Sequence, residues 1–149
     1  MSVPRVYLDT NVFIAAFEMT GAHSDHAWWI LKGIEAGTII GVTSEITLAE
    51  VLVKPMERDD EALADAYEGM IAPAPYFETV SVGRDVLTTA ARLRAGRHSL
   101  RLPDAIHVAS AQIAQCSVFI TQDERIALPD DLRRLGVTPF TLDDILGQP

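Results

Sequence analysis

The stretch VYLDTNVFIAAF (residues 6–17) sets one aspartate between two apolar runs. Val6, Tyr7 and Leu8 form a short β-prone run, Asp9 is followed by Thr10 and Asn11, and a second apolar run begins at Val12. Read as a strand followed by a helix, the stretch places Asp9 at the strand's C-terminal end, where open α/β sheets put their chemistry. Capping is the structural reading of the same residue, since Asp, Thr and Asn all serve at a helix N-terminus. Thr10 or Asn11 is enough to cap a helix that starts at Val12, so Asp9 is more than the cap requires.

The alternation begun here continues along the chain. Strands are expected near residues 4–8, 38–43, 78–82, 117–121 and 137–141, and helices near 12–18, 24–36, 45–54, 57–72, 84–95, 103–115 and 130–135. Ser24 is a candidate N-cap and Gly37 a candidate terminator for the second helix, and Pro103 suits a first helical turn. Repeated strand–helix alternation predicts an α/β fold, a mostly parallel sheet with helices on both faces. With no repeat, low-complexity tract or long linker, residues 1–149 are expected to form a single domain.

Composition narrows the class. The chain is 48% apolar and 22% charged, ordinary for a globular domain, and no apolar run approaches the ~18 residues of a membrane span. The start, MSVPRVYLDT, lacks a signal-peptide pattern, and the single cysteine, Cys116, excludes an internal disulfide; a cytoplasmic location is expected. The net charge is −9, which weighs against a nucleic-acid partner unless positive charge is concentrated somewhere. It is concentrated in one segment: residues 84–107 carry Arg84, Arg92, Arg94, Arg97 and Arg101 against Asp85 and Asp104.

Three further acids repeat the placement of Asp9. Glu50 lies in SEITLAEVLVKP, in a helix leaving the TIIGVT strand; alone it reads as a solvated edge with a weak Glu50–Lys54 pair. Asp104 follows Pro103 in LRLPDAIHVASAQ, where the helix macrodipole favours an acid and the small residues of the helix suggest burial. Asp123 ends the run SVFITQDERI, where turn formation is the simple explanation. Taken together, all four fall at strand ends or in the first turns of following helices, along one rim of a parallel sheet. Clustered carboxylates repel unless a cation intervenes, and oxygen ligands select a hard ion, Mg²⁺ or Mn²⁺. Such a site polarises a phosphate and activates water.

At these residues the sequence resembles a PIN-domain ribonuclease, and in particular the VapC-type toxins of toxin–antitoxin pairs. LDTNVFI is similar to the family's first acidic motif, SEITLAEVL to its second, LRLPDAIHVASA to its third and ITQDERI to its fourth, so that the likeness runs through nearly the whole chain. The resemblance implies a three-layer sandwich around a five-stranded sheet of order 3-2-1-4-5. It implies that Asp9, Glu50, Asp104 and Asp123 are the catalytic acids, that Asp9, Asp104 and Asp123 hold the metal, and that Thr121 supports them. It also implies RNA as substrate, an antitoxin protein as partner and a homodimer. Gln122 departs from the family, which more often has Asn there.

Other residues take less specific expectations. Asn11 orients Asp9 or caps its helix, with the cap favoured. His107, one turn past Asp104, is expected as a satisfied helix histidine rather than a base. Trp28 and Trp29 are expected in core or dimer-interface packing rather than base stacking. Arg97 and Arg101 are the candidate phosphate contacts. A phosphatase or receiver domain also places Asp at a strand end, but those chemistries want a lysine near a later strand end, and the chain has only Lys32 and Lys54. The alternatives to a toxin are a housekeeping RNA-processing nuclease and a metal-holding RNA-binding module with little turnover.

Overall fold

The computed structural model of the protein describes residues 3–136 and 140–147. Strand β1 (Arg5–Leu8) is central in a five-stranded sheet that also contains β2 (Ile40–Ser44), β3 (Phe77–Val80), β4 (Val118–Ile120) and β5 (Arg133–Leu135). The order is β3-β2-β1-β4-β5 and every pairing is parallel. The opening stretch explains the layering. Val6 and Leu8 point to one face and Tyr7 to the other, and all three are fully buried, as the middle strand of a doubly covered sheet demands.

One face is covered by α1 (Thr10–Glu18), α2 (Ala22–Glu35), α3 (Glu45–Val51) and α5 (Glu61–Ile71). There Val6, Leu8, Phe13, Ile30, Val118 and Ile120 share a core. The approach is close: a Cβ on Gly41 of β2 would stand 2.3 Å from Cδ1 of Ile34, so a larger residue there would force the Ile34 side chain of α2 to shift. The other face carries α6 (Arg84–Gly96) and α7 (Leu102–Ile113) over Tyr7, Val42 and Phe119. Ala105, Ala109, Ser110 and Ala111 are fully buried, and their small side chains let α7 sit tightly on the sheet.

Several expected boundaries move, for local reasons. Helix α1 begins at Thr10 with Asp9 as its N-cap, so neither Thr10 nor Asn11 caps it. Helix α2 begins at Ala22 after Gly21, and Ser24 is not its cap; its hydroxyl instead donates to Ala16 O. Gly37 does follow the end of α2, at φ +80°, where its N–H bonds Ile34 O. The two helices expected over 45–54 and 57–72 become three, α3, α4 (Val53–Glu57) and α5. Asp59 takes a left-handed conformation (φ +53°) and Asp60 caps α5 by accepting from Leu63 N, which breaks the run.

The largest change is near the C-terminus. The helix expected at 130–135 is instead β5, paired with β4 through Val118↔Arg133, Phe119↔Arg134 and Ile120↔Leu135. Of the strand expected at 137–141, residues 137–139 lie outside the described residues, while Thr141 caps the short helix α8 (Leu142–Leu146). Trp28 donates its indole N–H to Ala16 O at 2.8 Å and meets Phe17 edge to face, as core packing requires. Trp29 is 40% exposed and stacks on His26. No described helix is long and apolar enough to cross a membrane.

Candidate active site

The C-terminal ends of β1, β2 and β4 open on the same rim, and the segments that leave them, together with the start of α7, wall a cleft of about 550 Å³. Asp9, Glu50, Asp104 and Asp123 all line it, together with Asn11, Arg101 and Arg125. Four acids spread over more than a hundred residues of sequence thus meet in one place.

Asp9 is the most buried of them, 6% exposed. Its Oδ1 accepts from Thr10 N at 2.8 Å and its Oδ2 from the Thr121 hydroxyl at 2.7 Å. Burial raises its carboxyl above the ordinary 3.8; nearby His107 and the Thr121 and Thr10 hydrogen bonds oppose that rise. Thr121 also accepts from Asp123 N at 3.0 Å, so one hydroxyl ties the ends of β1 and β4 together.

Glu50 does not pair with Lys54 among the described residues. It reaches across to α7, where His107 Nε2 stands 2.6 Å from Oε1, and it accepts from the Thr10 hydroxyl at 2.9 Å. Burial pushes its carboxyl up, but the His107 hydrogen bond and charge, with help from Thr10 and Arg101, bring it below the ordinary 4.5. Thr47, one turn earlier on the same helix, is fully buried and bonds Thr43.

Asp104 occupies the first turn of α7, where Oδ2 accepts from Arg101 Nε at 3.3 Å. Asp123 follows β4 in a turn closed by its own side chain. Oδ1 accepts from the backbone N and Nε of Arg125, both at 3.0 Å, and Oδ2 from its Nη2 at 3.1 Å. The Arg125 hydrogen bond, with that residue's charge and a contribution from Arg101, holds the Asp123 carboxyl below 3.8.

Asn11 lines the cleft from the first turn of α1 rather than capping it. Thr121 lies behind the acids, almost wholly buried. Arg97 is different: it is the exposed C-cap of α6 and does not line the cleft. His107 is a satisfied helix histidine, as expected, but its partner is a site acid, with Tyr7 on its other ring nitrogen at 2.6 Å. Tyr7, Thr10 and Arg125 escaped the sequence reading. His107 lies three residues past Asp104 on the same helical face, and that spacing was the available signal.

The donor set suits a hard divalent cation. Every acid in the cleft offers oxygen, and four carboxylates face only two guanidiniums. Among the described residues, no three Asp, Glu, His or Cys side chains converge closely enough to grip an ion as they stand. Arginine engages two of the four acids.

The PIN domain family model matches residues 6–132. The chain belongs to the PIN domain family. Solved structures share the fold of this PIN domain. A toxin–antitoxin complex from Klebsiella pneumoniae is 25% identical with a TM-score of 0.64, over 85% of this chain and 94% of that one. VapBC-5 of Mycobacterium tuberculosis, from the VapBC family of toxin–antitoxin systems, is also 25% identical, with a TM-score of 0.57 over 89% and 98%. VapC20 of Mycobacterium tuberculosis, described as a sarcin-ricin loop cleaving toxin, is 19% identical with a TM-score of 0.63 over 81% and 92%, a likeness of fold. Among curated proteins, no sequence matches.

Proposed function

We propose that this PIN domain is a divalent-cation-dependent endoribonuclease and the toxin of a toxin–antitoxin pair. The observation that carries the reading is the meeting of Asp9, Glu50, Asp104 and Asp123 in one cleft of a PIN fold. Asp9, Asp104 and Asp123 would hold Mg²⁺ or Mn²⁺. When bound, such an ion polarises the phosphate, lowers the pKa of a coordinated water and offsets charge on the leaving oxygen.

The side chains supply the rest. Glu50 lines the cleft with Oε1 engaged by His107 and Thr10, and its role in this reading is to accept, through Oε2, a proton from water attacking phosphorus. The Tyr7–His107 chain fixes that carboxylate's orientation, and Thr121 fixes Asp9. Arg101, at the cleft wall, suits a phosphate of the bound strand. The antitoxin partner is supported by the toxin–antitoxin systems to which the similar structures belong. A homodimer and a cytoplasmic location complete the proposal.

The test is incubation of the purified protein with total cellular RNA in Mg²⁺, Mn²⁺ or EDTA, with mapping of the new 5′ ends, beside Asp104→Asn. Discrete ends that need the cation and vanish in the variant are expected. Equal cleavage by both proteins, or none by wild type under any cation, overturns the nuclease reading. Growth arrest on expression, relieved by a co-expressed small partner, separates a toxin from a housekeeping nuclease.

A further inference from the structure

Two of the four acids carry an arginine of their own. Arg101 reaches Asp104 through Nε at 3.3 Å, and Arg125 clasps Asp123 through Nε at 3.0 Å and Nη2 at 3.1 Å. These four residues also share a smaller recess of about 110 Å³ beside the main cleft. The pairs sense each other: Arg101 acts on Asp123, and Asp104 acts on Arg125. The layering has a direction. The arginine side chains are 70% and 85% exposed, while the carboxylates beneath them are 17% and 20% exposed.

An ion pair whose cation is this exposed is weak, so each guanidinium is readily exchanged for another partner. The fork that grips a carboxylate grips a phosphate equally well. No lysine lines the cleft, so among the described residues these two arginines are its only guanidinium or ammonium groups.

Building on the nuclease reading, we propose that Arg125, with Arg101, forms the phosphate-binding pair of the cleft. In the free protein the pair is stored on Asp123 and Asp104, and it passes to the RNA backbone when a divalent cation engages those carboxylates. The exchange meets two needs at once. Without the cation, the arginines offset repulsion among four clustered acids. With it, positive charge is released beside the bound strand, in a protein whose net charge of −9 otherwise repels RNA.

The exchange gives Arg125 two opposed roles, and one variant reads both. Arg125→Ala and Arg125→Lys are compared with wild type in two assays that need no turnover. The first is thermal stabilisation by MnCl₂ without RNA; the second is binding of a short fluorescent single-stranded RNA in CaCl₂ across a salt series. Arg125→Ala should need severalfold less Mn²⁺ for half of its stabilisation, because a competing cation has gone. It should bind RNA severalfold more weakly, with a salt dependence shallower by about one phosphate contact. Arg125→Lys, which keeps a charge without the fork, should lie between. An unchanged Mn²⁺ requirement overturns the proposal. So does unchanged RNA affinity, which would leave Arg125 as a charge balancer or an antitoxin contact. The two readings fail differently. Wild type that neither gains stability from the cation nor cleaves RNA removes both, whereas a variant that matches an active wild type removes only the exchange.

Discussion

His107 Nε2 lies 2.6 Å from Glu50 Oε1, and its Nδ1 lies 2.6 Å from the Tyr7 hydroxyl. The histidine is 1% exposed, so both ring nitrogens must find partners inside the protein. With Glu50 ionised, Nε2–H donates to its carboxylate, and the Tyr7 hydroxyl closes the contact at Nδ1. A tyrosine in the central strand thereby holds the ring of a helix histidine, which in turn holds a cleft carboxylate.

Removing the middle of that chain should cost both rate and stability. His107→Ala should reduce RNA cleavage by roughly 10–100-fold, the usual loss when an orienting partner is removed. It also removes the Nδ1 partner of the buried Tyr7 hydroxyl, at about 1–3 kcal/mol. His107→Gln, whose amide can still donate to Glu50, should recover part of the rate. Tyr7→Phe keeps the ring stacked on Phe119, with centroids 5.0 Å apart, and should be the mildest of the three. Cleavage assays with urea denaturation of each variant separate the effects. A His107→Ala protein with wild-type rate would remove the orienting role.

Asp9 and Glu50 titrate in opposite directions, which gives the site a distinctive pH signature. Burial raises Asp9 above 3.8, so the folded protein binds that proton more tightly than the unfolded chain. Stability is therefore lost as pH rises from about 3.8 through the folded value, and the loss is complete above it. Asp9→Asn escapes that penalty. In EDTA it should melt higher than wild type near pH 7, and the gain should shrink towards zero as the pH falls to about 3.5. Glu50, held below 4.5, contributes stability that is lost as pH falls through its folded value. Added Mn²⁺ should raise the wild-type Tm more than that of Asp9→Asn. A Tm for Asp9→Asn below that of wild type at neutral pH would contradict this account.

Three of the acids were legible from their positions, because Asp9 and Asp123 follow β-prone runs and Asp104 opens a helix. Glu50, expected in a first helical turn, instead lies in the last turn of α3 and reaches the cleft from there. What escaped was whatever depends on contacts across the fold. Tyr7 reads as one more core residue, and only the packing of α7 brings His107, a hundred positions later, onto its hydroxyl. Arg125 reads as a solvated charge until the turn folds it back on Asp123. The helix expected at 130–135 failed for a related reason. Leu132, Arg133, Arg134 and Leu135 have good helix propensity, but pairing with β4 outweighs it. Arg134 locks that strand by donating to Asp123 O at 2.6 Å, a contact with no mark in the sequence.

Cys116 offers a readout of folding that is independent of the site. It is 6% exposed, and burial pushes its thiol from the ordinary 9.0 up to about 12, with Arg5 opposing and Glu78 reinforcing the shift. Three units correspond to a thiolate fraction lower by on the order of a thousandfold. N-ethylmaleimide should therefore label the native protein far more slowly than the urea-unfolded chain at the same pH. Labelling at comparable rates in the two states would show that the loop ahead of β4 opens locally.

The net charge of −9 leaves open which cations meet RNA, and the two candidate arginines are no longer equivalent. Arg101 is the N-cap residue of α7 and lies in the cleft wall, 3.3 Å from Asp104. Arg97 is the exposed C-cap of α6, outside that wall. A phosphate held over the acids passes Arg101, whereas Arg97 contributes only through the more distant field, which salt screens over about 10 Å. Arg101→Ala should then weaken binding of every RNA tested by similar factors and flatten the salt dependence by about one phosphate contact. Arg97→Ala should change affinity little and leave the slope as it was. Neither substitution should move the cleavage position, because phosphate contacts carry no sequence information. The measurement is RNA binding by both variants across a salt series in CaCl₂, with cleavage mapping in Mg²⁺. Equal losses from the two variants would route the strand over the loop between α6 and α7, and no loss from either would move it off this side of the cleft.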